Sequence, residues 1–173
     1  MGILGLDIST KKIGYAIFDD FKIVKFGCIC TKKDTTIYER AEMAISELEN
    51  LLNKYQIDKI IIEESLLQFA NSSSSANTIV KLTMINAIIS FHLMKKKINI
   101  VHVNASTARK IVFGKSRNAA FKNVKRFVMY RLIKMYGKDF YKTLPRMKIK
   151  DKLADEAFDI ADAIVLALYG CKL

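Results

Sequence analysis

Six acidic residues stand where chemistry is possible. Asp7 closes an apolar run at the amino end, Glu63 and Glu64 follow the apolar run Ile60-Ile61-Ile62, and Asp155, Asp159 and Asp162 share one stretch near the carboxyl end. Spacings of four and three put the three aspartates on one face of a helix. Like charges on one stripe beside apolar neighbours repel unless something cationic sits among them, and a divalent metal is the economical answer. Mg²⁺ and Mn²⁺ prefer carboxylate oxygens, and two such ions about 3.5–4 Å apart can activate a water and stabilise the leaving oxygen of a phosphodiester. Taken singly, each acid has a plainer role: Asp7 capping a turn, Glu63 or Glu64 facing solvent, Asp155 capping its helix. What favours a shared site is Asp7 at the end of an apolar strand, just before the turn Ser9-Thr10-Lys11-Lys12-Ile13-Gly14 reverses the chain. Acids at the ends of neighbouring strands converge.

The elements that must position these acids follow from periodicity. Met1 to Leu6, Gly14 to Phe18 and Lys22 to Cys30 predict a three-stranded antiparallel meander. Thr36 and Glu39 have capping-box spacing, and Ile37, Ala41, Ala44, Ile45, Leu48, Leu51 and Leu52 recur at helical period. Asp58 to Glu63 reads as a central strand, Thr78 to about Lys96 as an apolar helix, and Asn99 to Val103 as another strand. Asn118 to Tyr136 is predicted as a helix stopped by Gly137, and Asp155 to Tyr169 as the last one. The order β-β-β-α-β-α-β-α-α implies an α/β fold: a mixed five-stranded sheet, three antiparallel strands then two parallel, flanked by helices. The 173 residues are expected to form one domain, 1–173.

Hydrophobic residues are 51% and charged residues 27% of the chain, which excludes a disordered protein. No apolar run reaches the roughly 18–20 residues of a bilayer span, and there is no basic leader, so an intracellular, cytoplasmic protein without a membrane is expected. Cys28, Cys30 and Cys171 read as ordinary buried thiols, and His92 and His102 as core residues. The net charge of +12 is concentrated, since Arg109 to Lys152 holds 15 basic and 2 acidic residues and the remainder is nearly neutral. That block predicts a polyanion partner, nucleic acid before membrane. Phe69, beside the serine run Ser72 to Ser75, could act as a wedge against unstacked bases.

Gly5-Leu6-Asp7-Ile8-Ser9-Thr10 with Gly14-Tyr15-Ala16, then Ile61-Ile62-Glu63-Glu64, then Asp159-Ile160-Ala161-Asp162-Ala163, resemble in order and spacing the motifs of the RuvC-type Holliday junction resolvases of the ribonuclease H-like superfamily. The resemblance covers nearly the whole chain and implies a crossover junction endodeoxyribonuclease. Such an enzyme resolves four-way junctions and related branched DNA by paired cuts, as a homodimer. It implies Asp7, Glu63, Asp159 and Asp162 as the ligands of two Mg²⁺ ions, with Mn²⁺ an alternative. Glu63 is chosen over Glu64 because strand alternation places it on the side of Ile61. Arg109-Lys110-Ile111-Val112-Phe113-Gly114 and Ala120-Phe121-Lys122-Asn123-Val124 resemble the family's basic segment. Lys122 is thereby implied as a catalytic group, and both Arg109 and Lys122 as phosphate contacts. Lys110, Lys115, Arg117 and Lys125, with Arg126 and the wedge Phe69, complete the expected DNA surface. The long basic stretch Lys138 to Lys152 resembles viral or phage relatives, for which the location would be the host cytoplasm. The apolar helix with Ile79, Leu82, Ile85, Ile89 and Leu93 is either the dimer interface or core. Alternatives are a nuclease of this fold that processes structured RNA, or a non-catalytic nucleic-acid-binding protein.

Overall fold

The computed structural model describes residues 1–32, 34–64, 76–121, 123–147 and 152–173. Its elements are β1 (Gly2–Ile8), β2 (Lys12–Asp19), β3 (Lys22–Cys30), α1 (Ile37–Lys54), β4 (Lys59–Glu63), α2 (Ala76–Met94), β5 (Asn99–Val103), α3 (Ala105–Phe113), α4 (Val124–Thr143) and α5 (Asp155–Gly170). The sheet order is β3-β2-β1-β4-β5, with β1, β2 and β3 antiparallel and β1, β4 and β5 parallel. This is the mixed sheet that the sequence predicts.

Each face of the sheet carries its own apolar layer. Leu4, Leu6, Ile60 and Ile62 point toward α1 and α2, while Ile3 and Ile61 point toward α3, α4 and α5. By the period of two, Asp7 and Glu63 then belong to the α5 side. β1 and β4 run parallel with Leu6 opposite Ile62, so the two acids are the next residues along neighbouring strands. The capping box of α1 forms as its spacing requires, Thr36 Oγ1 accepting from the Glu39 amide at 3.2 Å.

Three elements, α3, α4 and α5, differ from the sequence expectation. α3 is a helix where only a basic segment was anticipated; Asn104 caps it, its side chain accepting from the Ser106 amide, and Gly114 at φ 80° ends it. α4 starts at Val124 rather than Asn118, because Asn123 is its cap and Asn118 folds back on the Ala120 amide. Gly137, at φ 84°, breaks the helical path, yet helical structure resumes and runs to Thr143. α5 has Ala154, not Asp155, at its N-cap position, and no side chain caps it.

α2 is 19 residues long and, by length and composition alone, apolar enough to cross a bilayer. In the fold it lies along the sheet with Ile85, Ile89 and Leu93 fully buried, which assigns those three to the core. His102 is exposed and His92 pairs with Glu49 at 2.5 Å, so neither is a core residue. The three cysteines are free, but none is the buried thiol expected: Cys28 and Cys171 are partly buried and Cys30 is exposed.

Candidate active site

Two glycines bring α5 onto the strand ends. In the sheet, Asp7 is directly opposite Gly14. A Cβ built on Gly14 would lie 2.2 Å from the Asp159 carbonyl oxygen, and one on Gly5 2.2 Å from the Ala163 carbonyl oxygen. The backbone of α5 therefore rests on bare backbone of β1 and β2 at the turns that carry Asp159 and Asp162. Most of the other side chains on that helix are apolar and buried, among them Ala157, Ile160, Ala161 and Ile164. Glu156 fixes its amino end through an ion pair with Lys12 at 2.5 Å. Gly14→Ala is expected to cost about 1–3 kcal/mol of stability. By moving Asp159 away from Asp7 it should also weaken divalent-cation binding by about 10-fold or more, measured by Mn²⁺ calorimetry on the folded variant.

Asp7, Glu63, Asp159 and Asp162 line one open cavity of about 640 Å³, with Ser9, Asn104, Arg109 and Lys125 also on its walls. The carboxyl end of β4 is held by α2, whose Asn86 side-chain amide donates to the Glu63 carbonyl at 3.3 Å. Glu64 is exposed beyond the strand, its amide donating to the Val103 carbonyl, although its side chain borders the same cavity. Asp155 is exposed and does not line the cavity.

The electrostatics are those of acids crowded together out of water. Burial, then the negative charge of Asp162, pushes Glu63 up to about 7. Burial also pushes Asp162 up to about 6 against the opposing pull of Arg109 and Lys125. Asp7 is raised well above the usual carboxylate range by burial and by Asp162, Glu63 and Asp159, and Asp159 is raised by burial. Two cations partly offset this repulsion: Arg109 Nη1 is 3.9 Å from Asp162 and Lys125 Nζ is 4.0 Å from Asp159. Arg109 is largely buried, and its Nε has no hydrogen-bond partner.

Among the described residues, no three acidic, histidine or cysteine side chains are already closed around a point as an ion cage. The donor set nevertheless suits a hard divalent cation. All four donors are carboxylates, they converge from β1, β4 and α5, and Arg109 and Lys125 offset their ionised charge only in part.

The residues expected to act on DNA divide into three groups. Arg109 and Lys125 stand on the cavity wall. Lys110, Lys115, Arg117 and Arg126 are exposed and away from it. Lys122, Phe69 and the serine run Ser72 to Ser75 lie outside the described residues. Sequence reasoning did not anticipate Ser9 or Asn104 as wall residues; Asn104, a capping residue immediately after a strand, carried the one available signal.

A family model described as Crossover junction endodeoxyribonuclease RuvC matches residues 3–169. The crossover junction endodeoxyribonuclease RuvC of Ehrlichia ruminantium (strain Gardel) is 28% identical over 177 residues, covering 97% of this chain and 94% of the relative. That of Fusobacterium nucleatum subsp. nucleatum is 28% identical over 118 residues, covering 66% of this chain and 58% of the relative's own length. In fold, the chain is similar to T. thermophilus RuvC solved in complex with Holliday junction substrate. The TM-score is 0.66 at 15% identity, over 98% of this chain and 91% of that one.

Proposed function

Because the chain belongs to the RuvC family of crossover junction endodeoxyribonucleases, we propose that residues 1–173 act as one metal-dependent endonuclease unit that resolves four-way and related branched DNA by paired phosphodiester hydrolysis. The observation that carries this reading is the convergence of Asp7, Glu63, Asp159 and Asp162 on one cavity whose wall also holds Arg109 and Lys125.

In this mechanism Asp7, Glu63, Asp159 and Asp162 would hold two Mg²⁺ ions, with Mn²⁺ as a substitute, and the bound metal would supply Lewis acidity toward an attacking water and the departing 3′ oxygen. Asp7 and Glu63, fixed on neighbouring strands, give the rigid side of the site, while α5 supplies Asp159 and Asp162 from the facing layer. Arg109, close to Asp162 and felt electrostatically by Glu63, keeps these acids from being driven apart. Lys125 is more than half exposed at the rim and is free to meet a backbone phosphate. Lys122 offsets charge on the pentacovalent phosphate. The reaction needs no covalent link between enzyme and DNA.

Two cuts in a symmetric junction call for a two-fold protein. α2 offers a surface for it. Val80, Met84, Ala87, Phe91 and Met94 recur at alternating spacings of four and three on the face opposite its core contacts, and Val80, Phe91 and Met94 are more than half exposed. Phe91→Glu is expected to convert the dimer to monomers in sedimentation and to abolish paired cutting, leaving the melting temperature of the monomer close to that of the parent.

The deciding experiment is cleavage of a synthetic four-way junction, a linear duplex and a folded RNA, each with Mg²⁺ and with EDTA. Mg²⁺-dependent cutting confined to the junction is expected. Absence of metal-dependent cutting, or preference for the RNA, overturns the proposal. Binding should also fall steeply with salt, log K by about 0.9 per neutralised phosphate against log salt.

A further inference from the structure

A second groove lies directly behind the catalytic cavity, between the amino-terminal half of α4 and the approach to α5. Its volume is about 580 Å³, within the rough range of 300–1,000 Å³ of pockets that take small ligands. Arg126, Tyr130, Ile133, Tyr141, Lys152 and Phe158 are prominent on its walls, and among the described residues no carboxylate lines it. The ring of Tyr130 is backed by Phe121, with centroids 5.1 Å apart, while the residue remains half exposed. Arg146 covers the ring of Tyr141, its guanidinium carbon 4.7 Å from the centroid, which stiffens the far wall.

The ridge between cavity and groove is made of two pairs of consecutive residues. On α4, Lys125 faces the cavity and Arg126 the groove; on α5, Asp159 faces the cavity and Phe158 the groove. Lys125 joins the two sides, its Nζ 4.0 Å from Asp159 and 5.7 Å from the centre of the Phe158 ring. A strand leaving the cavity over Lys125 therefore meets the groove next. Its cations are placed to follow a phosphate backbone, and its aromatic rings are placed to receive bases that are not stacked on a partner strand.

We propose that this groove binds an unpaired stretch of DNA strand continuous with the strand in the catalytic cavity, with Tyr130 as a stacking platform and Arg126 and Lys152 as phosphate contacts. The proposal rests on the nuclease reading for the identity of the strand. A duplex does not suit the groove, because paired bases keep their faces covered and leave Tyr130 nothing to stack on.

The test uses the full chain in EDTA, so that nothing is cut, and a fluorescent 12-nucleotide oligo-dT followed by anisotropy. Tyr130→Ala is expected to weaken oligo-dT binding about 10-fold, with Tyr130→Phe restoring it. Arg126→Ala should weaken it several-fold, and Lys134→Ala, which removes the same charge from the same helix outside the groove, less than twofold. Light-induced crosslinking of 5-iododeoxyuridine in the oligonucleotide should label a peptide containing Tyr130 or Tyr141. Equal binding by Tyr130→Ala and the parent, equal losses in Arg126→Ala and Lys134→Ala, or a crosslink confined to other peptides would each overturn the proposal. Junction cutting by the unmodified protein is scored in parallel. Groove binding without cutting leaves the groove standing and sinks the nuclease reading, whereas cutting with no Tyr130 effect does the reverse.

Discussion

Asp7→Asn is expected to lower junction cutting by roughly 100-fold to 1,000-fold or more while leaving junction binding in EDTA unchanged or slightly tighter. The two side chains have nearly the same shape, and Asp7 lies at the end of a fully paired strand whose apolar neighbours Leu6 and Ile8 hold it in place. What the substitution removes is charge. Asp7 is the acid on which Asp162, Glu63 and Asp159 all press, so the metal-free fold should gain stability from the change even as cation affinity is lost. A variant that melts higher without metal, binds the junction and does not cut it would separate chemistry from folding and from DNA affinity. Cutting within about 10-fold of the parent would remove Asp7 from the chemistry.

The second large effect is on stability against pH. With Glu63 raised to about 7 and Asp162 to about 6, the folded, metal-free protein holds protons between about pH 4 and pH 7 that the unfolded chain has already released. The folded state binds more protons in that window, so its stability falls as pH rises through it. Other carboxylates, such as Glu39 and Glu156, are lowered and oppose this only at more acidic pH. The metal-free protein is therefore expected to melt lower at pH 7.5 than at pH 5.5, and Glu63→Gln to flatten the slope. At pH 7.5 the Gln variant should gain on the order of 2 kcal/mol, about 4–8 °C. Saturating Mg²⁺ should narrow or reverse the trend in the parent only, because the cation competes with protons for the same oxygens. A parent and Gln variant with parallel melting profiles from pH 5 to 8 would contradict it.

The fold was legible where local chemistry is decisive. The capping box at Thr36 and Glu39, the strand Asn99–Val103 and the alternation that sends Glu63 to the side of Ile61 all follow from nearest-neighbour rules. α3 was not legible, since nine residues are too short a window for the helical spacing of Ala108, Val112 and Phe113 to stand out, and its end residues Asn104 and Gly114 are what mark it. The start of α4 was misplaced because Asn118 and Asn123 both look like caps and only tertiary placement decides between them. Of the site, the acids could be found because strand ends and helical spacing announce them. The contact of Gly14 and Gly5 with α5 could not, since a missing side chain signals its purpose only when another backbone is seen to occupy the space. The groove behind Lys125 was equally hidden, its walls coming from two separate helices with the cavity's own residues interleaved among them.

The dependence of the site on α5 has a consequence for assembly. Asp7 and Glu63 lie on strands paired early in the chain order, but Asp159 and Asp162 arrive on the final helix, and Asp7 and Asp162 are 155 positions apart. A nascent chain on the ribosome, even with its sheet complete, has only half of its acids in place until the last segment has emerged and seated itself. On the proposed four-acid reading, a chain in which α5 has not yet seated holds only Asp7 and Glu63 and cannot assemble the metal site.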